Sequence, residues 1–151
     1  MMYEYLLSAG FQEIFINKRQ YGSYLYYKFD DTHSVVYIMK NGIKYFMKKF
    51  YEISMKSFPD EMIIINYQNN TTIKIIDKIN TSRKLKEVPY KKAEYNLLFQ
   101  HFDNIEYAVV LPEVSKHNDQ NMKAIIESYD ICCFVNNNSY QENLDVWLDK
   151  N

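Results

Sequence analysis

Residues 58–80, FPDEMIIINYQNNTTIKIIDKIN, decide how the chain is read. Two short Ile-rich runs, EMIIINY and TIKIID, flank the polar stretch QNN, which is the pattern of an antiparallel hairpin. Pro59-Asp60 precedes the first run and Asp77 closes the second. Counted from a turn centred near Asn69, the two acids stand nine residues before it and eight after it. Antiparallel register alone therefore brings Asp60 and Asp77 close together. A pair of carboxylates at the end of two strands is the donor set that holds Mg²⁺ without fully dehydrating it. Phosphodiester hydrolysis at such a site also needs a group that positions and deprotonates water, often a lysine beside the metal.

Side chains alternate along a strand, so Ile73, Ile75, Asp77 and Ile79 share one face while Lys74 and Lys78 point the other way. An Asp-x-Lys arrangement would set its lysine at position 79, and that residue is isoleucine. A β-bulge near residue 78 would swing Lys78 onto the acidic face. Failing that, Lys91 and Lys92 on the next helix are the nearest replacements, with Glu61 as a nearby helper. The plainer alternative is that Asp60 and Asp77 cap strand ends and Ile79 fills core.

Outward from the hairpin, IKYFMKKFYEI (43–53) sets Ile43, Phe46, Met47 and Phe50 at helical spacing, with Lys44, Lys48 and Lys49 opposite. Upstream, YEYLLSAGF predicts a short helix closed by Gly10, EIFIN and SYLYYKF (23–29) predict strands, and SVVYIMK (34–40) fits either strand or buried helix. Downstream, Pro89 predicts the first turn of a helix over PYKKAEYNLLFQHF. IEYAVVL (105–111) reads as a strand, residues 117–129 as a helix, DICCFV (130–135) as a strand, and YQENLDVWLDK as a last helix. The expectation is one α/β domain over 1–151, a mixed sheet of four to five strands flanked by helices.

The net charge of −1 hides a segregation. Residues 36–101 hold twelve Lys/Arg against six Asp/Glu, whereas residues 102–151 hold three against nine. Lys74, Lys78, Arg83, Lys84, Lys86, Lys91 and Lys92 crowd residues 74–92, which contain only two acids. Such a patch suits phosphate contacts, or simply a solvated surface. His33, His101 and His117 lack ligand spacing. The adjacent Cys132 and Cys133 lie in an apolar run and cannot reach each other from opposite faces, which fits a reducing, intracellular (cytoplasmic) setting. No apolar run is long enough to span a bilayer.

The run NGIKYFMKKFYEISMKSFPDEMIIINYQNNTTIKIIDK resembles the PD-(D/E)XK restriction endonucleases. The likeness extends to Lys91–Tyr95, IEYAVVLPE and YQENLDVW, covering roughly residues 37–148. It implies a restriction-endonuclease-like fold and Mg²⁺-dependent cleavage of double-stranded DNA by a homodimer. Asp60 matches the first metal-binding acid and Asp77 the second, while Ile79 falls where the family has its lysine. Arg83, Lys84, Lys86, Lys91 and Lys92 would carry the DNA contacts. NTSRKLKEV is shorter than the family's loop, and Glu4 or Glu13 would have to supply an additional N-terminal metal-binding glutamate. The alternative is a catalytically inactive nuclease fold that binds nucleic acid or a protein partner, including an accessory protein of viral or mobile-element origin.

Overall fold

The computed structural model describes residues 2–16, 22–79, 82–111, 116–136 and 140–149, without the side chains of 82, 83, 116–120 and 149. The central hairpin pairs β4 (Glu61–Tyr67) with β5 (Asn70–Lys78). Tyr67 faces Asn70, so the turn is the two residues Gln68 and Asn69. Both have positive φ, 49° and 66°, the backbone of a hairpin turn whose twist matches the strands. The register places Glu61 opposite Ile76, and continuing it by one residue sets Asp60 beside Asp77.

Among the described residues, the sheet around this hairpin has seven strands in sequence order, not the four to five expected from the sequence. β1 (Gln12–Phe15), β2 (Ser23–Asp30) and β3 (His33–Met39) form an antiparallel meander that joins β4. The ambiguous SVVYIMK is strand because its residues pair along their whole length with β4, from His33–Tyr67 to Met39–Glu61. On the other side, β6 (Asn104–Leu111) and β7 (Cys132–Val135) run parallel to β5. Parallel neighbours require crossovers, which α3 (Ser82–Leu98) and α4 (Lys116–Ser128) supply.

Helices cover both faces, as expected. α2 (Lys40–Tyr51) contributes Ile43, Phe46 and Met47, and α3 contributes Val88, Tyr95 and Phe99, to a core with Ile73, Ile75 and Ile79 of the hairpin region. α1 (Met2–Ser8) and α5 (Tyr140–Asp149) cover the opposite face, where Leu144 and Trp147 meet Ile63, Ile65 and Ile76. α2 sits close to β2 because residue 42 is glycine; a Cβ there would stand 2.5 Å from the Ser23 carbonyl oxygen. α3 begins seven residues before Pro89 rather than at it, so the proline lies inside the helix. Leu85 and the fully buried Val88 extend the apolar stripe upstream, and their burial outweighs the hydrogen bond Pro89 cannot make. Among the described residues, no helix is long and apolar enough to cross a membrane.

Candidate functional site

The alternation expected along β5 is observed. Ile73, Ile75 and Ile79 enter the core beneath α2 and α3, and Ile76 enters the core beneath α5. Asp77 lies on the first face, only 3% exposed. Its Oδ2 accepts hydrogen bonds from the Tyr107 hydroxyl at 2.6 Å and the Tyr95 hydroxyl at 3.2 Å. Lys91 reaches in from α3, its Nζ 3.9 Å from the same oxygen. Burial pushes the Asp77 carboxyl up, and the charge of Asp60 adds to it, while the Tyr107 bond and Lys91 pull it down. The net shift is upward. Burial and the Asp77 charge in turn push both tyrosine hydroxyls up, so they remain donors at any working pH.

Asp60 joins three elements. Its carbonyl accepts the Lys40 amide at the start of α2, its amide donates to the Ile76 carbonyl, and its Oδ2 accepts the Lys78 amide at 2.7 Å. Asp60 and Asp77 thus come together as the hairpin register demanded, each through bonds that also close the strand ends. Ile79 is core, 3% exposed, and only its amide takes part in pairing, donating to Val110.

Lys78 does not join Asp77. The β5–β6 ladder runs without interruption to the Lys78–Val110 pair, so there is no bulge to rotate it. It stays on the opposite face, its Nζ 3.3 Å from Glu61 Oε1. Glu61 is likewise turned away from Asp77; it is buried, and its other oxygen accepts the Tyr37 hydroxyl at 2.5 Å. Glu13 lies on the edge strand β1, three strands from β4, where it accepts hydrogen bonds from Tyr3 and Ser23. Among the described residues, no group of three or more His, Cys, Asp or Glu side chains is placed to hold a metal ion.

The basic patch divides into separate roles. Lys74, grouped with it on sequence, is fully buried: its ammonium lies 2.8 Å from Glu106 Oε2, bonds the Trp147 carbonyl and sits 4.8 Å from the centre of the Trp147 ring. Nothing local in TIKIID signals this, because the covering helix comes more than sixty residues later in the chain. Lys92 donates to the Tyr129 and Asp130 carbonyls just past the end of α4, where a cation offsets the partial negative charge of a helix C-terminus. Lys84 and Lys86 are exposed on the first turns of α3. The Arg83 side chain lies outside the described residues.

Compared with protein-family models, with curated proteins and with solved structures, the chain matches none. Its chemistry therefore has to be read from its own side chains. Cys132 and Cys133 form no disulfide, and burial pushes the Cys133 thiol up to about 12, which removes it as a nucleophile. Among the described residues, polar groups also gather at the end of β4 and β5, with Asp77 and Lys91 on one side of the sheet, Glu61 and Lys78 on the other, and Asp60 at the same strand end.

Proposed function

We propose that the chain is a DNA-directed phosphodiesterase built on a restriction-endonuclease-like core, β3 to β6, with Lys91 in the role left open by Ile79. The observation that carries this reading is the Lys91 ammonium 3.9 Å from Asp77, a carboxyl on which the charge of Asp60 also acts. A lysine on the following helix can serve a site that the strand position does not.

Asp60 and Asp77 fit a hard divalent cation such as Mg²⁺. They are two oxygen donors whose mutual repulsion helps hold Asp77 above its ordinary value, and water and substrate phosphate would complete the shell. Bound there, the cation would supply Lewis-acid stabilisation of the charge that develops on phosphate. Tyr95 and Tyr107 donate to the Asp77 carboxylate, and the half-buried Lys91 beside it would hold or orient the attacking water. Lys84, Lys86 and Arg83 would contact the backbone of double-stranded DNA, and cutting both strands would take a homodimer with one site per strand. A second reading, a catalytically silent nuclease fold that binds nucleic acid or a protein, is favoured by the depth of Asp77 and its two tyrosine bonds.

The test is cleavage of supercoiled plasmid and unmodified genomic DNA with Mg²⁺ or Mn²⁺, wild type beside Asp60→Asn. Asparagine keeps an oxygen for the Lys78 amide, so the variant removes the charge and spares the fold. Products that vanish in Asp60→Asn support the enzyme. Equal inertness of both proteins across several DNAs, with salt-sensitive DNA binding retained, moves the silent reading into first place.

A further inference from the structure

The opposite side of the same sheet end holds a cleft that shares only Asp60 with the proposed nuclease chemistry. It lies at the carboxyl ends of β3, β5 and β7, between α1 and α5, with a volume of about 420 Å³. Crevices at the carboxyl ends of strands are the usual ligand sites of α/β sheets, and this volume falls within the range of small-molecule sites. Tyr3, Tyr37 and Tyr140 contribute aromatic walls, and Asp60, Glu61 and Lys78 contribute charge.

Two acids line it with one lysine, and the lysine's ammonium pairs with Glu61. Glu61 is buried and rigidly held by the Tyr37 hydroxyl, so its charge is fixed in place rather than free to swing into solvent. Lys78 supplies the cation: its ammonium lies 3.3 Å from Glu61 Oε1 while most of the side chain stays exposed. A primary ammonium drawn from the chain itself already occupies the mouth of the cleft. Aromatic walls beside fixed carboxylates attract cations through the negative faces of the rings and by direct charge pairing.

We infer that this cleft binds a small organic cation, an alkylammonium or alkylguanidinium, with Glu61 as its charge partner and Lys78 as the internal competitor it displaces. The inference shares Asp60 with the nuclease reading, but its charge partner Glu61 and its competitor Lys78 take no part in that reading, and Asp77, Lys91 and the two tyrosines beside Asp77 lie across the sheet.

The experiment is calorimetric titration of the full chain with n-butylammonium and n-butylguanidinium chloride, with n-butanol and sodium butyrate as neutral and anionic controls. Binding is expected for the two cations and for neither control. Lys78→Met removes the competitor and should tighten cation binding several-fold; Glu61→Gln should weaken it by about tenfold or more, the scale of a lost charged hydrogen bond. Should Glu61→Gln fail to fold, Lys78→Met decides by itself. No cation binding by either wild type or Lys78→Met, equal binding of butyrate, or weaker binding by Lys78→Met would each overturn the inference.

Discussion

The two faces of the β4–β5 hairpin end in similar parts with different surroundings. On one side Asp77 takes two tyrosine hydroxyls and keeps Lys91 at 3.9 Å; on the other Glu61 takes one and keeps Lys78 at 3.3 Å. The difference lies in what surrounds each acid. Asp77 has its titration shifted upward, chiefly by burial, with a second carboxylate adding to the shift. Glu61 has its cation supplied by the next strand and opens on an aromatic cleft. The end of the β4–β5 hairpin thus carries the place proposed for a metal ion and a place already holding an ammonium, separated by the thickness of the sheet.

The largest effect should come from the two lysines. Lys91→Ala is expected to lower DNA cleavage by roughly 10²-fold or more, the range for loss of a positioned proton-transfer group. A loss of the same size in Lys78→Ala would put the working lysine on the other face and break the distinction. Next, Lys74→Ala should destabilise the fold by about 2–4 kcal/mol in urea denaturation, because it empties a buried site and strips Glu106 of its cation. Lys74→Met, which fills the space, should cost much less.

Smaller effects sharpen the contrast between the acids. Tyr107→Phe should cost about 1–2 kcal/mol at neutral pH by leaving Asp77 one donor short. Asp77→Asn should do the opposite and stabilise the protein at neutral pH. The Asp77 carboxyl is raised in the folded state, so between its ordinary value and the raised one the native protein binds more protons than the unfolded chain. Stability therefore falls as pH rises through that window, and the loss is complete above it. Thermal melts across pH should show the Asp77→Asn advantage at pH 7 and none below the ordinary carboxylate range. A variant that is more stable yet cannot cleave is what a strained functional acid predicts. The smallest change is expected from Lys84→Ala and Lys86→Ala, a modest loss of DNA affinity with a shallower salt dependence.

The hairpin was legible because two Ile-rich runs, a polar turn and flanking acids all specify one register, and β4 and β5 follow it residue for residue. Asp60 and Asp77 came together for the same reason. Lys91 could be named from sequence only as one of several replacements, since its reach depends on where α3 crosses the sheet. The start of α3 was hidden by Pro89, whose preference for a first turn is weaker than the burial of Leu85 and Val88. Lys74 was misread as part of a surface patch because a lysine on a strand signals solvent unless the helix above it is known, and here that helix closes the chain. The strand count rose to seven because the meander of β1 to β3 continues the same sheet, which short aromatic runs do not announce on their own.

The most direct measurement is Mn²⁺ binding followed by electron paramagnetic resonance at pH 8, wild type beside Asp77→Asn. One site in the wild type, absent in Asp77→Asn and retained in Glu61→Gln, is the result expected if Asp60 and Asp77 form the cation site. Binding that survives Asp77→Asn and is lost in Glu61→Gln would contradict it and move the metal to the far side of the sheet.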